Sequence, residues 1–206
     1  MDLILPPDYR PLLNAKHTER FICHEYDVLE PSLPEEITFV HAEDLLREFP
    51  GRTPKEREYE VSRRHGAVFI VGIGGELSDG TMHDGRAPDY DDWSTPTPDG
   101  RAGLNGDIVV YNRVLDTPFE LSSMGVRVDV EALERQLAIR RAEERRELYF
   151  HRRLLAGELP LSIGGGIGQS RLCMLYLQKA HIGEIQASIW PEGMLRTCRE
   201  HGITLL

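Results

Sequence analysis

The chain has 206 residues, 40% of them hydrophobic, which predicts one domain over residues 1–206 with its own core. Acidic residues outnumber basic ones by 34 to 24, and the formal net charge of -10 argues against a protein that binds the phosphate backbone of a nucleic acid. Three widely spaced cysteines without a C-x-x-C motif exclude a disulfide framework or zinc motif, and no signal peptide or membrane-length apolar run occurs, so we expect a cytoplasmic protein.

The first third of the chain predicts helices and one short strand. A helix is expected over residues 12–26 and a strand over residues 37–40. The next helix has a clear start, because Thr53 and Glu56 have the spacing of a capping box. Gly66 is the residue expected to end this helix.

The middle of the chain predicts buried strands around a long loop. The apolar run AVFIVGI (67–73) is typical of a strand buried on both faces. Residues 74–106 are rich in Gly, Pro and Asp and predict a loop, and loops of this length in compact domains usually carry function. Residues 107–112 and 118–128 predict two antiparallel strands joined by a short connection.

The last part of the chain predicts mostly helices. In chain order we expect a helix capped by Asp129, a charged helix to about residue 155, a short strand into the glycines at 164–166, a helix from Gly168, a strand over 184–190 and a final helix from Pro191.

The stretch SIGGGIGQSRLCML (162–175) combines a glycine loop with a helix start. It matches neither a P-loop nor a dinucleotide fingerprint, because Arg171 stands where the latter needs its third glycine. Close backbone approach, a helix N-terminus and an arginine together favour an anion. The alternative is a glycine-rich helix entry packed tightly on a sheet.

Acidic residues cluster in the loop segment HDGRAPDYDDW (83–93). Clustered carboxylates either face water or meet a cation, a substrate ammonium or a metal. The spacing fits neither an EF-hand nor a zinc site, so the segment is either a solvated acidic turn or a site for a bound ammonium.

The strand FELSSMGVR (119–127) carries polar residues on at least one face. Alternation along a strand puts Glu120 and Ser122 on one face. It puts Ser123 and Arg127 on the other face unless a β-bulge intervenes. Glu120 and Ser123 suit a hydrated Mg²⁺, and Arg127 suits a carboxylate held by two hydrogen bonds. The alternative is an edge strand with one wet face. Asp107 just before the companion strand is, by itself, typical of a turn.

Five segments occur in an order that identifies a family: APDYDDWSTP, GLNGD, FELSSMG with VR, GGGIGQSRLCML and HIGEIQASIWPE. From about residue 35 to residue 190 the chain resembles the ammonia-dependent asparagine synthetases, or aspartate–ammonia ligases. That family is similar to the catalytic core of class II aminoacyl-tRNA synthetases. The resemblance implies an α+β fold with a mainly antiparallel sheet flanked by helices.

The resemblance also implies a ligase of asparagine biosynthesis that converts ATP, L-aspartate and ammonia into asparagine, AMP and pyrophosphate through a β-aspartyl adenylate. By motif, the ATP or AMP positions are Asp107, Glu120, Ser123 and Arg171, with Mg²⁺ at Glu120 and Ser123. The aspartate positions are Asp91, Ser122, Arg127 and Gly166. Arg171 and Asp91 are the residues expected to act in catalysis.

Family members are longer, so the resemblance makes this chain the C-terminal part of the catalytic core, incomplete on its N-terminal side. We expect a homodimer or a partner chain that supplies the rest of the site. The alternatives are a non-catalytic paralogue, a split subunit, or an amide ligase that uses another acid or amine. The acidic charge disfavours a tRNA-binding relative.

Overall fold

The computed structural model describes residues 11–206 as an α+β fold around a five-stranded sheet. In sheet order the strands are β1 (Thr38–His41), β2 (Ala67–Val71), β3 (Asn105–Asn112), β4 (Thr117–Val126) and β5 (Ile163–Ile167). Only the β1–β2 pair is parallel, and the other three pairs are antiparallel. The prediction of a mainly antiparallel sheet flanked by helices is confirmed.

The predicted helices are present in the expected order, and α2 is an additional helix that the sequence did not lead us to expect. They are α1 (Pro11–Glu25), α2 (Ala42–Glu48), α3 (Pro54–His65), α4 (Val130–Arg140), α5 (Tyr149–Leu155), α6 (Gln169–Tyr176) and α7 (Glu192–Glu200), with 3₁₀ turns at Glu143–Glu147 and Ile182–Glu184. The capping box of α3 is present, since the Thr53 side chain accepts from the Glu56 backbone and the Glu56 side chain accepts from the Thr53 backbone. None of these helices is long and apolar enough to cross a membrane.

Strands β2 and β3 form the centre of the core, with an apolar layer on each face. Phe69 packs in one buried cluster while its neighbours Val68 and Ile70 pack in another. Because successive strand residues point to opposite faces, these two clusters lie on opposite sides of the sheet. The predicted burial of β2 on both faces is confirmed.

A β-bulge between β3 and β4 changes which residues share a face. Ile108 lies opposite Ser122 but Val109 lies opposite Glu120, so Leu121 is an extra residue without a cross-strand partner. The bulge moves Glu120 to the face of Ser123. The expectation from strict alternation, that Glu120 and Ser122 share a face, is therefore wrong.

The predicted strand over 184–190 is also wrong. The Glu184 carboxylate accepts hydrogen bonds from the backbone amides of Ala180 and His181, which fixes a turn at the start of this segment. The residues after Ile185 pair with no strand in the described part of the chain, and Ile189 is 98% exposed. A β-prone sequence needs a neighbouring strand, and here the local turn takes precedence.

Candidate active site

One face of β3, β4 and β5 carries polar and small residues in a row. Asp107 lies opposite Ser123, and Ser123 lies opposite Gly166 on the other side. Residues directly opposite in an antiparallel pair share a face, so these three residues from three strands form a line across the sheet. The bulge adds Glu120 to the same face. The structure thus brings together four of the eight predicted site positions.

Asp91 is buried and pairs with the half-buried Arg127 at the end of β4. The acidic loop reaches them because it hydrogen-bonds to the strand end, with the Val128 amide donating to the Tyr90 carbonyl at 3.0 Å. The Arg127 guanidinium donates to the Asp91 carboxylate and to the Tyr90 hydroxyl, and it lies 3.7 Å from the centre of the Tyr90 ring. Burial raises the pKa of Asp91, and the adjacent Arg127 offsets part of that rise.

Glycines make room for this pair. A Cβ atom added to Gly164 would lie 2.6 Å from the Arg127 guanidinium, and one added to Gly125 would lie 3.0 Å from the Asp91 carboxyl carbon. A Cβ at Gly166 would meet nothing within 4 Å. The first two glycines are therefore needed for packing, whereas Gly166 leaves open space on the face of the site.

Asp107 pairs with an arginine that the sequence interpretation did not single out. The Arg86 guanidinium donates to Asp107 and also to Asp84, at 2.6 Å in the second case. Burial raises the pKa of Asp107, and Arg86 offsets part of the rise. The other Asp107 oxygen is buried and has no hydrogen-bond partner in the described residues. The signal for Arg86 was its position as a lone basic residue inside the acidic segment.

Arg171 and Glu120 line an open cleft between β4 and the start of α6. The Arg171 guanidinium donates to the Glu120 backbone carbonyl at 3.0 Å and lies 3.5 Å from its carboxylate. The cleft has a volume of about 450 Å³. Its walls are Glu120, Leu121, Ser122, Ser123, Gly166, Ile167, Gly168, Gln169, Ser170 and Arg171. The cleft is open to solvent.

The oxygen ligands on this face fit a partly hydrated cation. Glu120 and Ser123 share the face, and the orphaned oxygen of Asp107 belongs to the same row. Within residues 11–206 no group of three or more His, Cys, Asp or Glu side chains is arranged to hold a metal ion. Mg²⁺ suits such a site, since it binds through one or two carboxylates and completes its shell with waters and phosphate oxygens.

Ser122 does not join the row. Its cross-strand partner Ile108 lies in the apolar core, and the Ser122 hydroxyl is buried without a hydrogen-bond partner in the part of the chain that the structure describes. Its backbone position borders the cleft, but the side chain faces the opposite side of the sheet. A role for Ser122 in binding aspartate stays a prediction.

The acidic loop is not one cation site. Each of its carboxylates has a separate partner: Asp84 pairs with Arg86, Asp89 with His151 and Arg145, Asp91 with Arg127, and Asp92 accepts from the backbone amides of Ser94 and Thr95. Asp91 contacts Arg127 at the end of β4, and Asp84 shares Arg86 with Asp107 of the row. A role for Asp91 in binding an ammonium group stays a prediction.

Comparisons with known proteins identify the family of this chain. A family model described as aspartate–ammonia ligase matches residues 12–202. An aspartate–ammonia ligase of Parabacteroides distasonis is 60% identical over 189 residues, covering 92% of this chain and 55% of the relative. One from Bacteroides thetaiotaomicron is 56% identical with the same coverage. The chain spans about half the length of these curated relatives.

The fold also matches solved structures. An asparaginyl-tRNA synthetase of Pyrococcus horikoshii, complexed with asparaginyl-adenylate, superposes with a TM-score of 0.56 at 13% identity, over 89% of this chain and 46% of that one. At this identity the likeness concerns the fold alone. The fold is therefore that of the class II aminoacyl-tRNA synthetase core, as the resemblance implied.

Proposed function

This chain belongs to the aspartate–ammonia ligase family, and we propose that it takes part in joining ammonia to the side-chain carboxylate of L-aspartate, with ATP cleaved to AMP and pyrophosphate. The observation that carries the proposal is that two sites meet along β5. Gly164 lies against the Arg127 guanidinium, and Gly166, two residues further on the same face of the strand, lines the cleft at Arg171. The Arg127–Asp91 pair suits an amino acid, and the cleft at Arg171 suits phosphate.

The Arg127–Asp91 pair offers both signs of charge to an α-amino acid. A guanidinium binds a carboxylate through two parallel hydrogen bonds, and an ionised aspartate binds an ammonium. Gly164 lets the guanidinium lie against β5, and Gly166 keeps the neighbouring space open. The aspartate side chain then extends along the row towards Ser123 and the cleft.

The first chemical step joins aspartate to the nucleotide. A side-chain carboxylate oxygen of aspartate attacks the α-phosphorus of ATP, the bond from that phosphorus to the bridging oxygen breaks, and pyrophosphate leaves. Arg171 lies where it offsets negative charge on the phosphates, and such preorganised cations contribute several kcal/mol in comparable sites. Mg²⁺ held by Glu120 and Ser123 would add charge neutralisation of the phosphate oxygens.

The second step forms the amide. Ammonia attacks the acyl carbon of the β-aspartyl adenylate, the bond from that carbon to the AMP oxygen breaks, AMP leaves with the bonding electrons, and a proton is released. The Pyrococcus synthetase was solved with an aminoacyl adenylate on the same fold, which supports an adenylate here.

A cytoplasmic location, which the free cysteines at 23, 173 and 198 suit, stays a prediction.

An end-point assay tests the proposal. Folded protein is incubated with ATP, Mg²⁺, L-aspartate and ammonium, and asparagine, AMP and pyrophosphate are quantified together. We expect the three products in equal amounts. Formation of ADP and phosphate, or asparagine yield independent of ATP, would contradict it. Glutamate and hydroxylamine, in place of aspartate and ammonia, test whether another acid or amine is preferred.

We propose in addition that another polypeptide, a second copy or a partner chain, covers the outer edge of β5. This strand is at the end of the sheet order, and exposed apolar side chains at Ile163 and Ile167 lie along it. Exposed edge strands readily pair with further strands. The covering chain would close the open side of the cleft.

A further inference from the structure

Gln136 of α4 is a fully buried amide, 0% exposed, in contact with the loop that carries Asp91. Its Oε1 accepts from the Trp93 backbone amide at 2.8 Å and from the Ser94 hydroxyl at 3.0 Å. Its Nε2 donates to the carbonyls of Pro88 at 2.9 Å and Asp91 at 3.1 Å. All four hydrogen bonds available to a glutamine side chain are therefore made to one short loop segment.

These partners fix the orientation of the amide. The Trp93 N–H can only donate and the two carbonyls can only accept, so a flipped amide would lose three bonds. An irregular buried backbone needs such partners, because unpaired buried amides and carbonyls are costly. Gln136 replaces, for this loop, the hydrogen bonds that a neighbouring strand would supply.

The loop also has anchors that do not involve Gln136. The Asp92 amide donates to the Val126 carbonyl at 2.8 Å, and the Leu104 amide donates to the Asp92 carbonyl at 2.7 Å. The loop should therefore stay attached to the sheet when Gln136 is changed. What changes is the position of Tyr90 and Asp91, the two residues that hold the Arg127 guanidinium.

We propose that Gln136 is a positioning residue for amino-acid recognition, acting through the loop that places Asp91 and Tyr90 around Arg127. It touches no substrate itself. Loss of its hydrogen bonds lets the Asp91 backbone move, and the guanidinium loses the partners that orient it. The inference rests on the proposed function, since it assigns aspartate binding to the Arg127–Asp91 pair.

The first test measures the loop directly, without a ligand. Trp93 is buried in this loop, and its indole donates to the Ala87 carbonyl at 3.0 Å. Trp190 is the other tryptophan of the sequence, so a Trp190→Phe background isolates the fluorescence of Trp93. In Gln136→Met we expect red-shifted emission and stronger acrylamide quenching. The matched control, Leu137→Ala on the same helix, removes buried packing but no loop hydrogen bond, and should leave Trp93 unchanged.

The second test measures ligand affinity by calorimetry. We expect Gln136→Met to raise the Kd for aspartate roughly fivefold, the factor that corresponds to loss of a typical hydrogen-bond contribution, and to leave the Kd for ATP nearly unchanged. Should this variant fail to fold, Gln136→Glu is measured at about pH 5, where its buried carboxyl group is protonated. It then keeps both accepted bonds and donates to one of the two carbonyls, so it should give a smaller loss of the same selectivity. Equal losses for both ligands, or the same selective loss in Leu137→Ala, would overturn the assignment.

The two tests separate the inference from its premise. An unmodified protein that binds no aspartate overturns the proposed function, while the fluorescence of Trp93 still decides whether Gln136 holds the loop. If the unmodified protein binds aspartate and Gln136→Met binds it equally tightly, the inference is overturned and the proposed function is left in place.

Discussion

At the scale of single residues, the site is a set of arginine–carboxylate pairs. Arg127 pairs with Asp91, Arg86 with Asp107 and Arg171 with Glu120. Each pair neutralises charge on a crowded face, so a ligand must bring groups that replace or share these contacts. An amino acid and a magnesium-bound triphosphate both carry such groups, which ties the geometry of the pairs to the proposed substrates.

Arg127→Lys tests the pair at the amino-acid position. Lysine keeps the charge but loses the planar fork and the stacking on Tyr90, so we expect aspartate affinity to fall roughly 10- to 100-fold. Calorimetric titration with aspartate measures the change. Arg153→Lys is the matched control, because Arg153 also pairs with a carboxylate, Glu158, and lies over a tyrosine ring, Tyr149. Equal losses in both variants would contradict the assigned role.

His41 gives a pH dependence of stability. Its Nδ1 accepts from the Glu43 backbone amide at 3.1 Å and caps α2, and burial is the main cause that lowers its pKa below the ordinary 6.5. The folded protein therefore favours neutral His41. Its contribution to stability is present above pH 6.5 and is lost as the pH falls through the lowered pKa.

The measurement is urea unfolding at pH 7.5 and 5.5. We expect the free energy of unfolding to drop less in His41→Asn than in the unmodified protein, since asparagine also caps helices but does not titrate. An identical drop in both proteins would show that other groups dominate this pH range.

At the scale of elements, the glycines of β5 separate packing from binding. A side chain at Gly166 meets open space, whereas one at Gly164 meets Arg127. Because alanine is more favourable than glycine within a strand, Gly166→Ala should be at least as stable as the unmodified protein. It should still bind aspartate more weakly, since the methyl group enters the site. Thermal unfolding and calorimetry measure the two effects, and unchanged affinity would exclude Gly166 from the site.

The companion variant Gly164→Ala has a different expected outcome. The added methyl group displaces the Arg127 guanidinium, so we expect loss of both stability and aspartate affinity. Full stability in this variant would show that the close contact of Arg127 with β5 is unimportant.

Local signals made most elements predictable from the sequence. The capping box of α3, the Asp129 cap of α4 and the apolar run of β2 each depend on nearby residues, and each is present as expected. The bulge at Leu121 was not predictable, because it depends on how β4 pairs with β3. It decides that Glu120, and not Ser122, shares the face of Ser123, so part of the site follows from tertiary pairing.

The remaining errors have the same origin. Residues 184–190 are β-prone but lack a neighbouring strand within residues 11–206. The contact of Arg86 with Asp107 depends on the folded position of the loop, which the local sequence does not determine. The family motifs supplied the other candidate site residues. For Asp91, Arg127 and Arg171, the family motifs and the charge of the side chain predict the same roles.

At the scale of the whole molecule, the open edge of β5 predicts association. Ile163 is 53% exposed on this edge, so we expect sedimentation to give a species heavier than the 23.4 kDa chain. Ile163→Lys should shift the equilibrium towards the single chain, because a charge blocks edge pairing. Ile139→Lys is the matched control, since Ile139 is 54% exposed on α4. A 23.4 kDa species at all concentrations would contradict association through this edge.

The central claim is that the aspartate side chain is activated as an adenylate. Oxygen-18 in both side-chain carboxylate oxygens of aspartate tests it most directly, with ATP, Mg²⁺ and ammonium present and the products read by mass spectrometry. Activation as an adenylate predicts that each asparagine formed leaves one oxygen-18 atom in AMP and none in pyrophosphate. Label in inorganic phosphate alongside ADP, or asparagine formed with unlabelled AMP, would contradict it.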